Sequence, residues 1–204
     1  MRIGIYGGTF DPIHCGHLAL AEDARCYLAL DTILFVTAGQ PWMKENTKVT
    51  GASHRLAMVE LAVQERPHFE MTNMEVKRTG PTYTLETMRE LHEKYGPRAE
   101  LFLLLGLDAA GDLSRWHQPD ELVKLCQIVV MNRYGAAPLA KLDLESQIPG
   151  SCGRIKILDI RMVDISSTEI RRRVAQGSGI GDSVPEKVEK YISDHHLYRS
   201  GGGL

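Results

Sequence analysis

Two histidines three residues apart, flanked by glycines, form the first chemically loaded segment of the chain. It reads Gly7-Gly8-Thr9-Phe10-Asp11-Pro12-Ile13-His14-Cys15-Gly16-His17. Two glycines directly after an apolar run let backbone N–H groups approach a ligand closely. If a helix begins near His14, positions i and i+3 share a face. Both imidazoles then meet one ligand at a helix N-terminus, where anions are favoured. Gly16 removes a side chain where that ligand comes close. A tight turn carrying two surface histidines uses the same residues, and so does a metal pair. The metal pair is disfavoured, because no further carboxylate or cysteine stands nearby at ligand spacing.

The second loaded segment is Ile165-Ser166-Ser167-Thr168-Glu169-Ile170-Arg171-Arg172-Arg173. Ser166 followed three residues later by Glu169 is a capping box, so a helix starts here. Its free N–H groups, the hydroxyls of Ser167 and Thr168, and Arg171 could hold a polyphosphate. A solvated basic face is the plainer alternative for Arg171–Arg173. Capping accounts for Ser166 and Glu169 but not for the additional hydroxyls beside the arginine.

Strand-like and helix-like segments alternate along the chain and must position these residues. Ile3–Tyr6 reads as a buried strand ended by Gly7-Gly8. Gly16–Leu30 carries Leu18, Ala21, Ala24, Leu28 and Ala29 at helical spacing. Thr32–Thr37 is β-branched and aromatic, a second strand. Ser53 caps a helix that runs to about Glu65, and Phe69–Val76 reads as strand. Thr84–Tyr95 is helical in pattern and stops at Gly96-Pro97. Leu101–Leu105, Ile128–Met131 and Ile155–Leu158 are further strands. Tyr134–Gly153 is the least patterned stretch and reads as a surface excursion. Strand then helix, repeated, predicts an α/β fold: a doubly wound, Rossmann-like parallel sheet with helices on both faces. Ligands of such sheets sit beyond the carboxyl ends of the strands. That places the loops after Tyr6, Thr37, Leu105 and Met131 on one rim.

Composition narrows the class. A chain of 204 residues predicts a single domain, here residues 1–198 with a flexible tail over 199–204. Lys and Arg number 24 against 26 Asp and Glu, a net charge of −2, which argues against a long nucleic-acid partner. None of the four cysteines, Cys15, Cys26, Cys126 and Cys152, stands in a C-x-x-C pair. Reduced thiols of an intracellular protein are the expectation. The N-terminus lacks the apolar stretch of a signal peptide. The longest apolar run, Leu101–Leu105, is far short of a membrane span. A cytoplasmic protein with no membrane association is expected.

Taken together, the two loaded segments resemble the nucleotidylyltransferase superfamily. Within it, the chain resembles the bacterial nicotinate-nucleotide adenylyltransferases, from Met1 to about Tyr198. Supporting residues are Lys44 in the second rim loop, Thr82-Tyr83-Thr84 before a helix, Gly106-x-Asp108 after a strand, Trp116, and the closing pattern from Val184-Pro185 through Tyr191-Ile192 to Leu197-Tyr198. The chain departs from the family pattern at two points. Arg133 is followed by Tyr134-Gly135 rather than proline, and Lys44 follows Pro41-Trp42-Met43.

The resemblance implies adenylyl transfer from ATP to nicotinate mononucleotide, giving nicotinate adenine dinucleotide and pyrophosphate, with Mg²⁺ accompanying ATP. It implies that His14, His17, Lys44 and Arg171 carry the catalysis. It implies ATP contacts from Gly7, Gly8, Thr9, Phe10, Gly16, Gly106, Asp108, Ile165, Ser166, Ser167 and Thr168. The mononucleotide falls to Tyr83, Thr84, Asp108, Trp116 and Arg133. Trp116 would stack on the cationic pyridine ring; a half-buried helix aromatic is the alternative. Thr84 would offer backbone N–H groups to the carboxylate; a plain N-cap is the alternative. No protein metal site is implied, Cys15 is a spectator, and a homo-oligomer is compatible with the sequence. His54, His68, His92, His117, His195 and His196 read as surface or packing residues.

Overall fold

Apolar runs of four to seven residues that alternate with helices can satisfy their backbones only by pairing with one another. In a computed structural model, which describes residues 1–40, 49–133, 141–160 and 164–199, six of them do so in one sheet. The strands are β1 (Arg2–Gly8), β2 (Thr32–Thr37), β3 (Phe69–Thr72), β4 (Glu100–Gly106), β5 (Gln127–Arg133) and β6 (Ile155–Ile160). All pairings are parallel, in the order β3-β2-β1-β4-β5-β6. The helices are α1 (Cys15–Leu28), α2 (Ala52–Val63), α3 (Met74–Lys77), α4 (Thr84–Tyr95), α5 (Leu107–Gly111), α6 (Pro119–Leu125), α7 (Lys141–Gln147), α8 (Ser167–Ala175) and α9 (Glu186–Asp194).

Side chains alternate across the pleat, and both faces of this sheet are covered. Tyr6, Phe35, Phe102, Leu104 and Val129 pack with Leu18 of α1, Met58 of α2, Ile170 of α8 and Val188 of α9. Ile5, Leu34, Leu103, Leu105 and Val130 pack with Met88 of α4 and Leu122 of α6 on the other side. This is the doubly wound arrangement. The strand order reverses direction between β1 and β4, so their carboxyl ends, Gly7-Gly8 and Gly106, flank the crevice where such folds bind ligands. All four cysteines are free thiols. Among the described residues no helix is long and apolar enough to cross a membrane.

The structure corrects several boundaries. α1 begins at Cys15, one residue before the expected start, and closes on Ala29 in a left-handed conformation. α2 starts at Ala52 behind Gly51, so Ser53 is inside the helix and caps nothing. The expected strand over Phe69–Val76 splits: β3 ends at Thr72 and the chain turns into α3. Thr72 Oγ1 accepts the Met74 N–H at 3.4 Å at that turn. Within the stretch read as a surface excursion, Lys141–Gln147 is helical, because Leu144 and Ile148, four apart, bury against the sheet. Residues 134–140 of it, and 200–204 of the tail, lie outside the described residues.

The turn into α3 depends on Gly39, just beyond β2. A Cβ built there would overlap the carbonyl oxygen of Glu75, a backbone atom that cannot swing aside. Gly39→Ala should therefore act as overpacking and destabilise the protein by about 1–3 kcal/mol. Gly111→Ala is the control, since a Cβ there meets nothing within 4 Å. Urea unfolding reads both: the midpoint should fall for Gly39→Ala and hold for Gly111→Ala.

Candidate active site

The helix that begins after β1 is capped by the two histidines themselves. His14 is the N-cap of α1 and His17 its third residue. The His17 N–H donates to His14 Nδ1 at 3.3 Å, and the His14 N–H donates to His17 Nδ1 at 3.2 Å. The rings stack with centroids 3.7 Å apart. Each Nδ1 therefore accepts, and a neutral imidazole must carry its proton on Nε2. Burial pushes the His14 imidazole down to about 4. His17 is held well below its usual range, by burial first and by His14 second. Both rings are thus neutral Nε2–H donors near pH 7. Phe10, buried in the core, meets the His17 ring edge-on at 5.2 Å. It supports that ring and leaves only its backbone for a ligand.

The first turn of α1 is less open than the sequence implied. The Cys15 N–H donates to the Ser183 carbonyl at 2.9 Å. With the His17 N–H taken by His14, the Gly16 amide is left without a partner among the described residues. A Cβ on Gly7 would meet nothing within 4 Å, so this strand end faces open space.

The second motif docks directly onto the first. Ser166 caps α8, its Oγ accepting the Glu169 N–H at 3.2 Å. The reciprocal half of the expected box is replaced: the Glu169 carboxylate pairs with Arg172 at 2.6 Å. Ser167 Oγ donates to the Pro12 carbonyl at 2.9 Å, and Arg171 Nη1 donates to the Asp11 carbonyl at 2.7 Å. Arg171 Nη2 also donates to Thr168 Oγ1 at 3.3 Å. Ile165 packs on the core beneath. Arg171 is thereby fixed beside the turn that carries His14 and His17.

Two buried groups brace this turn. The Asp11 carboxylate accepts the Tyr198 hydroxyl at 2.7 Å and the Thr50 N–H at 3.2 Å. Arg55 of α2, 2% exposed, donates Nη1 to the Thr9 carbonyl at 2.7 Å, Nε to Thr50 at 2.8 Å and Nη2 to Gly39 at 3.1 Å. It ties the loop after β1 to the loop after β2.

Beside the turn lies a cavity of about 500 Å³. Gly7, Gly8 and Thr9 form one wall, Thr82, Tyr83 and Thr84 another, and Asp108 and Trp116 a third. Tyr83 is the N-cap of α4 with no side-chain cap bond, and Thr84 is the first helical residue. The amides that open α4 have no intrahelical partner. Trp116 Nε1 is buried without a hydrogen-bond partner among the described residues. Gly106 and Asp108 stand exposed where β4 gives way to α5.

The structure thus brings together His14, His17 and Arg171 on one part of the rim, and Tyr83, Thr84, Asp108 and Trp116 on another. Lys44 lies outside the described residues. Arg133 ends β5, and its side chain lies outside them too. Sequence reasoning gave no role to Arg55 or Glu75, and took Asp11 and Tyr198 only as members of motifs and His117 as a surface or packing residue. Arg55 left a trace, as a charge at i of an i, i+3, i+4, i+7 apolar stripe with Met58, Val59 and Ala62. His117, read as a surface or packing residue, lines the cavity and stacks on Tyr83 with centroids 4.5 Å apart.

Known proteins share this architecture. The cytidylyltransferase-like family model matches residues 5–173. A probable nicotinate-nucleotide adenylyltransferase of Dehalococcoides mccartyi is 41% identical over 97% of each chain. One from a Roseiflexus species is 43% identical, over 97% of this chain and 98% of its own. The solved structure of Plasmodium falciparum nicotinic acid mononucleotide adenylyltransferase complexed with NaAD superimposes with a TM-score of 0.73 over 97% of each chain, at 23% identity. That likeness is one of fold, whereas the sequence matches reach further. The chain belongs to the cytidylyltransferase-like family and, within it, to the bacterial nicotinate-nucleotide adenylyltransferases.

Proposed function

We propose that this chain transfers the adenylyl group of ATP to nicotinate mononucleotide, a step of NAD biosynthesis carried out in the cytoplasm by a domain spanning residues 1–198. One observation carries the reading. A turn with two fixed Nε2–H donors and a docked arginine shares its rim with a cavity walled by an open helix start and a tryptophan. The first is suited to a polyphosphate, the second to an aromatic ring bearing a carboxylate.

In this reaction a 5′-phosphate oxygen of the mononucleotide attacks the α-phosphorus of ATP. The bond from that phosphorus to the bridging oxygen breaks, and pyrophosphate leaves with the electron pair. The attacking phosphate is already an anion, so no general base is required. What the site supplies is alignment and stabilisation of charge as it spreads over the phosphates. His14 and His17 donate to phosphate oxygens through Nε2. Arg171 and, by the resemblance, Lys44 take up charge on the departing pyrophosphate. Among the described residues no three of His, Cys, Asp and Glu gather around a metal-sized space. By the resemblance Mg²⁺ accompanies ATP, and magnesium is commonly carried on substrate phosphates, which makes MgATP the donor. Incubation with MgATP and a panel of acceptor phosphates, with pyrophosphate release measured, tests the assignment.

Removing one donor that acts mainly in the transition state costs about 10²–10³-fold in turnover. His17→Ala should therefore lower kcat by that order while circular dichroism shows an intact fold. Near-normal turnover would remove His17 from the mechanism. Loss of a hydrogen bond to a charged group is worth about 1.5–3 kcal/mol. Arg171→Ala should accordingly raise the KM for ATP by roughly 10–100-fold and change the acceptor KM less. The reverse pattern would place Arg171 on the acceptor.

The amides opening α4 also distinguish acid from amide. A carboxylate accepts from them with charge assistance, whereas the NH₂ of a carboxamide turns a donor toward donors. Nicotinate mononucleotide should be preferred over its amide by at least about tenfold in kcat/KM, measured side by side at saturating MgATP. A ratio near one would leave adenylyl transfer standing and reject the acid-selective acceptor.

A further inference from the structure

The acceptor cavity presents more acid than base. Its ionisable lining residues are Tyr83, Glu75, Asp108, Asp112 and His117, with neither lysine nor arginine. An entering nicotinate carboxylate is repelled by each ionised carboxyl, most strongly where water is excluded. Asp108 is exposed and Asp112 half-exposed, and solvent screens both. Glu75 is 8% exposed, and the reaction described above gives it no part.

Its contacts point elsewhere. Thr87 Oγ1 donates to Glu75 Oε1 at 2.7 Å. The Thr82 hydroxyl, which donates to the Gln40 carbonyl at 3.4 Å, stands beside the same carboxyl. Arg78 Nη1 donates to Thr87 Oγ1 at 3.2 Å, while Arg78 Nη2 pairs with Glu90 at 2.6 Å. The Thr87 hydroxyl has one proton to give, and the short contact directs it to Glu75. Thr82 precedes the start of α4 and Thr87 lies one turn inside it. One buried carboxyl, itself lining the cavity, therefore holds the first turn of α4, whose residues Thr84 and Leu85 line the same cavity.

We propose that Glu75 is a positioning residue for the acceptor: by holding Thr87 it fixes the first turn of α4, and with it the amides of Thr84 and Leu85, against the pyridine carboxylate. This deepens the acceptor assignment made above and rests on it. Burial raises the Glu75 carboxyl above its usual range, with Glu90 adding to the effect and the two hydroxyls and Arg78 opposing it. The shift lowers the ionised fraction at any given pH, which suits a wall that must face a second carboxylate.

The test compares the intact wild-type enzyme with Glu75→Gln, Thr87→Val and Thr87→Ser, varying nicotinate mononucleotide at saturating MgATP and ATP at saturating acceptor. Glutamine keeps the shape but removes the charge and leaves a weaker acceptor for the Thr87 hydroxyl. The KM for the mononucleotide should rise about tenfold in Glu75→Gln and in Thr87→Val. The KM for ATP should stay close to wild type, while the thermal midpoint falls by a few degrees from the lost buried hydrogen bond. Thr87→Ser, which keeps the hydroxyl, should restore the wild-type acceptor KM. If Glu75→Gln does not fold, the Thr87 pair decides alone. An unchanged acceptor KM in the valine variant, or a parallel rise of both KM values, would overturn the proposal. Wild-type enzyme that releases pyrophosphate only with other acceptors would overturn the acceptor assignment itself, and this inference with it, before any variant is compared.

Discussion

Arg55 carries a full positive charge into the interior and satisfies it with three backbone carbonyls. Burying a guanidinium is costly unless its donors are all met and an opposite charge is near. Here the carbonyls belong to Thr9, Gly39 and Thr50, and Asp11 supplies the nearby negative charge. The consequence is geometric. Loops from two neighbouring strands, which a parallel sheet leaves free to diverge, converge on one planar fork. The turn bearing the histidines and the loop packed on Glu75 are held at a fixed separation by that fork. The distance between the donor and acceptor parts of the rim is thereby set in the core.

The site is assembled from both ends of the chain. β1 and α1 provide the histidines, while α8 returns some 155 residues later and lands on the Pro12 carbonyl. Tyr198 reaches further back still, to Asp11. A helix terminus that bound phosphate alone would need no such contacts. By donating to backbone carbonyls of the first motif, Ser167 and Arg171 spend part of their hydrogen-bonding capacity on alignment. An in-line displacement requires that alignment.

What the sequence made legible follows from what local chemistry demands. Glycines after a strand, hydroxyls before a helix and alternating apolar runs are short-range signals, and they identified the fold, the rim and the histidine pair. β3 was misjudged at its end because Val76 prolongs an apolar pattern that the backbone abandons at Asn73. Glu75 was invisible for the same reason: a carboxylate in an apparent strand reads as solvent-facing, and only the turn into α3 brings it inward. Arg55 was passed over because its partners are backbone atoms, which have no identity in a sequence, and Asp11 drew no role because its partners, Thr50 and Tyr198, stand 39 and 187 residues away. The docking of α8 on Pro12 connects positions too distant for any spacing rule. Stacking of His117 on Tyr83 depends on how the segment after α5 closes over α4, which is likewise a matter of tertiary packing.

The reciprocal cap of His14 and His17 has an effect on inheritance as well as on chemistry. Each ring stabilises the start of α1 through Nδ1, and its Nε2 takes no part in the cap. Replacing either residue removes an Nε2–H donor, uncaps a backbone N–H and unstacks the remaining ring in one step. Asparagine or aspartate at position 14 would repair the cap, but neither returns a donor at the reach of Nε2. The two positions are thus coupled as one heritable unit, since a change at either disturbs the cap and the ring stack that hold the other.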